Sequence, residues 1–456
     1  MIDNTSHSDI IKNPEIQKFL SDSEYIKIPS EEDKEVITKL FVDCGNIDVE
    51  LPKNIISVDA STHEAPVNET LPFTNVGYVR LSNFLIRKDD FFADATSSAF
   101  VDPFKIAKLS NDGEFFSFAF PGNNISYKKQ LSLRDGFRLA LEESFLAFKS
   151  IDGDRVFSLK DTLFRLGEYR NENSGELTLH KCPNVDCEQS DIVVKNFSEQ
   201  QLCPNCKKPI YATDSLRIWE EIDENAQSNQ QALTRTANVL KHLSIMHYIF
   251  TEKTLHKDTY LLTLKDLCFF VNGPLAIYGP PAWLHRVIMK AFFEVNQELS
   301  MKGYGELLVV GVIENGQIGS YFDLFKNDIA ENSYYCLTDE FRKDLLFNSF
   351  GSTFGYETYY GQDFVFKADG TINVFCIPYH RKEKSPVKEF ADEKSKPANY
   401  KNLSVALKLM QEFGCNLYKS ALIPIVLAKK YSVISVEPGA TMLNLLAKTK
   451  INEKVD

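Results

Sequence analysis

The chain has 456 residues, 43% hydrophobic and 25% charged, enough for two or three domains or one large core with insertions. A formal charge of −12 argues against a protein that coats nucleic acid non-specifically, while leaving room for a focused basic patch or a basic partner. No stretch reaches the ~18 uninterrupted apolar residues of a membrane span, and an acidic start with Asp3, Asp9, Glu15 and Asp22 is unlike a secretory signal.

Residues 1–50 are acidic, with short amphipathic helical patterns over Glu15–Leu20 and Glu32–Phe41. They read as an N-terminal cap or arm on a main domain spanning 51–456. Asn54–Val58 predicts a buried strand ending in Asp59-Ala60-Ser61-Thr62, where small residues let the backbone turn after the acid. Val76–Arg87 alternates as a second strand, and Phe137–Lys149 has helical spacing with Glu142 and Glu143 adjacent. Helical patterns over Leu216–Asp223 and Ala232–Phe250 lead to Asp266–Leu284. There Leu267–Val271 predicts a buried strand stopped by Asn272-Gly273-Pro274. Leu275–Tyr278 is a second apolar piece stopped by Gly279-Pro280-Pro281, and Ala282–Gln297 reads as a helix. Glu306–Ile313 predicts a strand closed by Asn315-Gly316, and Asp363–Pro378 a hairpin turning on Asp369-Gly370. His380–Lys401 reads as a charged loop. Asn402–Phe413 and Leu417–Lys430 read as helices, Tyr431–Val436 as a strand and Thr441–Ala447 as a last helix. The sum is an α/β fold, a mixed sheet with helices and an inserted module.

That module is the strongest local signal. Of nine cysteines, four form Cys182-x4-Cys187 and Cys203-x2-Cys206, each opening on Cys-Pro-Asn. Two knuckles supplying two thiolates each suit tetrahedral Zn²⁺, in a closed and therefore structural site, over a ribbon spanning 178–212. Asp191–Phe197 between them looks like a hairpin. The other cysteines are single and in mostly apolar surroundings, which points to a reducing cytoplasm.

Polar residues at the carboxyl ends of buried strands are where α/β enzymes place catalytic groups, and Asp59 and Asn272 both qualify. Two-metal nucleases need carboxylates converging at such ends, bridging cations about 4 Å apart. Asp59 is either such a ligand or a turn-forming Asp. His242 and His247 are spaced poorly for one helical face and read as core or partner contacts, and Trp219 and Trp283 as packing residues. No phosphate-binding G-x-x-x-x-G-K-[ST] is present, so any ATPase work belongs to a partner.

Taken in order, seven short motifs resemble the NurA family from about Ile55 to Ala447. They are Asp59-Ala-Ser, the cysteine knuckles, Leu216-Arg-Ile-Trp-Glu220, Asn272-Gly-Pro-Leu-Ala-Ile, Val310-Gly-Val-Ile, Tyr359-Tyr-Gly-Gln-Asp363 and Ala421-Leu-Ile-Pro-Ile-Val-Leu-Ala-Lys429. The resemblance implies an RNase H-like mixed sheet flanked by helices, with the zinc ribbon inserted. It implies a cytoplasmic homodimer docked on a HerA-type hexameric ATPase, and a DNA nuclease using Mn²⁺ or Mg²⁺ in end processing or in destroying invading DNA. By position, the family's first metal-binding Asp matches Asp59, with Ala60 replacing a Gly. Its second Asp falls on Asn272 and its late His on Lys429. Its helical Glu falls on Lys241, with Glu220 and Glu143 as more distant substitutes. Asn272 offers a metal one neutral oxygen, and Lys241 brings positive charge to a cation's place. Two readings follow: a metal-dependent nuclease centred on Asp59, and a non-hydrolytic dimeric DNA clamp for the motor, in which Lys241 and Lys429 hold phosphates.

Overall fold

The most apolar runs become the centre of a nine-stranded mixed sheet in the computed structural model. It describes residues 13–23, 29–67, 74–92, 113–130, 132–170, 173–197, 199–314, 316–345, 353–415 and 421–433. In chain order the strands are β1 (Val42–Asp43), β2 (Asn54–Pro66), β3 (Asn75–Arg87), β4 (Gly113–Pro121), β5 (Leu267–Asn272), β6 (Leu308–Val312), β7 (Ser333–Cys336), β8 (Gly361–Ala368) and β9 (Thr371–Pro378). Across the sheet they lie β1-β7-β8-β9-β6-β5-β2-β3-β4. β5 runs parallel to both β2 and β6, and every other pairing is antiparallel. Continuous apolar sequence suits strands covered on both faces, and every residue of β6 is buried.

One face packs against α1 (Leu133–Ala147), α2 (Leu159–Glu168), α3 (Gln230–Leu255) and α4 (Leu284–Met301). The other packs against α5 (Leu403–Glu412) and α6 (Ile423–Ser432), where Phe84, Phe270 and Phe364 meet Leu407 and Leu427. α3 buries residues around most of its circumference, as a central helix must. Ser158 starts α2 with a reciprocal capping box to Asp161. Asp369 and Gly370, both at positive φ, make the tight turn between β8 and β9. No helix among the described residues is long and apolar enough to cross a membrane.

Several local expectations change. β2 does not stop at Val58: it continues to Pro66 because β3 pairs with it over its whole length. Leu216–Asp223 is no continuous helix but falls in two 3₁₀ turns, Ala212–Leu216 and Ile218–Glu221, split where Arg217 takes φ +57. The apolar piece Leu275–Tyr278 makes a single bridge, from Ala276 to Tyr359. The helix expected from Ala282 starts as a 3₁₀ turn, Pro280–Trp283, before α4. The charged stretch His380–Lys401 contains a helix, Val387–Lys394, anchored by the buried Phe390. Lys384 in that stretch is also buried, donating to the carbonyls of Gly355 (2.9 Å), Tyr356 (2.8 Å) and Tyr359. Burial, with Arg286 and Lys394 nearby, pushes its amine down to about 6. The helix expected from Leu417 begins at Ile423, with Pro424 in its first turn. Tyr431 and Ser432 complete α6 instead of starting a strand; 434–436 and Thr441–Ala447 lie outside the described residues. Edge strand β4 went unpredicted, although Phe116, Phe118 and Phe120 carry a period-two signal.

His242 and His247 are core residues. His247 bridges the hydroxyls of Ser150 (3.1 Å) and Thr162 (2.9 Å), and lies against the rings of Phe148 and Phe157. Burial lowers its pKa to about 4. An unfolded imidazole takes a proton that the native one refuses, so this stability is intact above pH ~6.5 and drains away as pH falls toward 4. Urea unfolding from pH 7 to 4 is expected to show a smaller acid loss for His247→Phe than for wild type. At fixed neutral pH, Phe270→Ala, at a wholly buried ring, is expected to cost about 3–5 kcal/mol. Leu262→Ala, at an exposed side chain, should stay within about 0.5 kcal/mol in the same measurement.

Candidate functional site

Because β2, β5 and β6 are parallel neighbours, their carboxyl ends share one side of the sheet. The β2–β5 ladder ends at Val58 and Val271, which makes Asp59 and Asn272 the next residues along it. Asn272 Nδ2 donates to Asp59 Oδ1 at 2.9 Å, and Ser432 Oγ of α6 donates to Asp59 Oδ2 at 2.5 Å. Both carboxylate oxygens are thus capped, and Asp59 is 4% exposed. Lys241 of α3 reaches the same strand end, donating Nζ to the Asn272 carbonyl at 2.6 Å. Gly273, at φ +108, takes the turn at this strand end, a conformation that favours glycine. Burial lowers the Lys241 pKa, and Asp59 opposes that shift. Burial likewise lowers Lys429 of α6, again against Asp59, and Lys429 pairs with Glu314 just beyond β6. Ser61 closes the arrangement by donating to the Ser432 carbonyl.

Two lysines therefore face two carboxylates, and the centre balances its charge without an added ion. A pair of Mn²⁺ or Mg²⁺ ions does not fit it. Such ions need several oxygen ligands with bridging carboxylates. Here one carboxylate is capped by an amide and a hydroxyl, the other is paired with Lys429, and an ammonium sits against Asn272. Among the described residues, the sole convergence of three or more His, Cys, Asp or Glu side chains able to hold a metal is the cysteine cluster.

Sequence-assigned positions Asp59, Asn272, Lys241 and Lys429 come together, while two others do not join them. Glu220 is held by Arg217 at 2.7 Å and Lys181 at 3.5 Å. Glu143 is held by Lys128 at 2.5 Å and Tyr127 at 2.6 Å. Glu314 and Ser432 were not anticipated. Glu314 follows the apolar run of β6 almost directly, which is the signal that could have found it.

Cys182, Cys187, Cys203 and Cys206 bring their sulfurs within 4.8 Å of one another. The Cys182–Cys206 and Cys187–Cys203 separations are both 3.8 Å. A tetrahedron with metal–sulfur bonds of ~2.3 Å has edges of about 3.8 Å, so the site fits a four-thiolate ion. The expected hairpin at Asp191–Phe197 is instead a single strand, Ser190–Lys195, paired with Glu176–Lys181 around the first knuckle. Gln201–Leu202 and Pro209–Ile210 flank the second. The doubled Pro-Asn has a function here. Asn184 Nδ2 donates to Cys182 (3.2 Å) and Cys206 (3.4 Å), and Asn205 Nδ2 to Cys187 (3.5 Å), fixing the thiolates from outside. Arg138 ties this module to the core, meeting both oxygens of Asp214 at 2.8 Å and the Pro209 carbonyl at 2.8 Å. The eight cysteines with described side chains are all free thiols.

No family model matches the sequence, and no curated protein matches it. Among solved structures, the chain matches the crystal structure of the NurA nuclease from Sulfolobus solfataricus with a TM-score of 0.35 and 9% identity. The match covers 100% of this chain and 98% of that one.

Metal analysis of the purified chain is expected to find one ion per chain that a mercurial reagent releases on blocking the thiols. Cys203→Ser should lose that ion and unfold at lower temperature, by an amount typical of a structural metal site.

Proposed function

We propose that this chain is a NurA-like DNA-handling protein that works as a cytoplasmic homodimer with a HerA-type hexameric ATPase. In this reading residues 1–50 form an arm, 51–456 the main domain, and 178–212 a ribbon stabilised by Zn²⁺. The strand-end centre braces a non-hydrolytic clamp. One observation carries the reading. Four positions that the sequence resemblance assigns to a single metal centre, drawn from four separate elements, contact or electrostatically couple to one another around Asp59. Two of them are ammoniums and one is an amide, so in this reading fixed charge takes the place of metal chemistry. Both ammoniums have internal partners, Lys241 the Asn272 carbonyl and Lys429 Glu314. That moves DNA contact from these lysines to the neighbouring surface.

A second reading, a metal-dependent DNA nuclease, draws on one feature. The hydrogen-bond donors on Asp59 are both neutral, Asn272 and Ser432, which makes them displaceable in a way an arginine is not.

The two readings separate in one assay. Wild type is expected to retain linear and single-stranded DNA but leave it intact in Mn²⁺ or Mg²⁺, with or without the ATPase, and Asp59→Ala should behave alike. Degradation by wild type that is lost in Asp59→Ala would replace the clamp with the nuclease. Asn272→Asp sets a second carboxylate beside Asp59. Its melting temperature is expected to rise in Mn²⁺ relative to a chelator, whereas that of wild type should not.

A further inference from the structure

We propose that the sheet face beyond Asp59 is a platform for single-stranded DNA, on which Arg80 takes a phosphate and Phe115 a base. The proposal rests on the DNA-handling reading and names the surface that serves it. Past the end of β5, strands β2, β3 and β4 continue together as an antiparallel extension. The pairs Asp59–Ser82, Ser61–Arg80 and His63–Tyr78 set these side chains on one face. Phe115, Ser117 and Ala119 of β4 extend the same rows, opposite Ser82, Arg80 and Tyr78. The reverse face carries Val79, Leu81, Phe118 and Phe120 into the core.

Arg80 is the anomaly on this face. Its guanidinium lies 4.5 Å from the Phe115 ring centroid, yet it has no ion pair among the described residues, and its Nε is buried without a hydrogen-bond partner. The two fully buried arginines behave differently, Arg138 pairing with Asp214 and Arg342 with Asp363. His63 Nε2 and Ser82 Oγ share the face and are also buried without partners among the described residues. The His63 ring lies nearly parallel to that of Tyr78, at 17°. A cation and polar atoms left unpaired at one place are short of an anionic ligand.

The aromatic component selects the anion. Phe115 is 55% exposed with a guanidinium over its ring, which is the construction of a sequence-tolerant base platform. Ser117 and Ala119, small residues, stand opposite Arg80 and Tyr78 in the same rows. Bases locked in a duplex cannot stack on such a ring, so the ligand is single-stranded. Asp59, one pair further along, does not repel it, because Lys241 and Lys429 offset its charge.

Fluorescence anisotropy of a labelled oligo-dT strand on the full chain tests this. Phe115→Ala and Arg80→Glu are each expected to weaken binding by about tenfold or more, with a smaller loss for Arg80→Lys, which keeps charge without the planar stack. Arg80→Gln should also reduce the salt slope of binding by about one. Phe115→Ala should leave binding of a duplex of equal length unchanged. Since Phe115 is exposed, that variant should keep the wild-type melting curve and so report on binding alone. If wild type binds no single strand, the platform falls together with the DNA-handling reading. If wild type binds and both Phe115→Ala and Arg80→Glu bind equally well, the platform is wrong and the DNA-handling reading stands.

Discussion

The parallel run of β2, β5 and β6 is the constraint from which the rest follows. Antiparallel neighbours would send Asp59 and Asn272 to opposite edges of the sheet. Parallel pairing instead brings both, and Glu314 after β6, to one side, within reach of α3 on one face and α6 on the other. Once a carboxylate is lodged there, nearly out of water, its charge must be met. Lys241 and Lys429 supply that charge from opposite layers, while Asn272 and Ser432 satisfy the oxygens directly. The centre thereby links two helices to the strand ends, and its function is set by which cation does the neutralising. A covalently attached ammonium cannot activate water or bridge two phosphate oxygens as a metal does, but it also cannot dissociate.

A similar economy governs the cysteine module. Two short knuckles have little apolar area of their own; their sulfurs are set at the spacing a four-thiolate ion fits, with asparagine amides aimed at them. The module is nonetheless no free appendage. Leu177, Leu179, Ile192 and Val194 join the main core, and the Arg138–Asp214 pair, buried on both sides, fixes the chain where it leaves the ribbon. Breaking one partner of such a pair leaves the other charged and buried, so the connection is rigid in practice.

Buried cations recur in this molecule, and they separate into two kinds. Lys241, Lys384, Arg138 and Arg342 each have an internal carboxylate or carbonyl to answer them. Among the described residues nothing answers the part-buried Arg80, which lies on the same sheet face as Asp59. A chain with an acidic balance of −12 can bind a polyanion only through such local features, where the protein withholds its own counter-charge.

Features that depend on near neighbours along the chain are legible in its order of residues. The four-cysteine cluster follows from its spacing, the Asp369-Gly370 turn from its need for positive φ, and the buried central strands from uninterrupted apolar runs. The motif order even singles out Asp59, Asn272, Lys241 and Lys429 together. Only the tertiary structure decided the rest. Whether β2 ends at Asp59 depends on β3, a separate strand whose pairing carries it on to Pro66. Whether a charged stretch is loop or core depended on carbonyls at Gly355, Tyr356 and Tyr359 that await Lys384. Whether Asp59 holds a metal depends on Lys241 and Ser432, hundreds of residues away in sequence for Ser432 and in another layer for both. Hydrogen-bond pairing and charge balance are properties of what surrounds a group in space, and no local pattern around Asp59 encodes them.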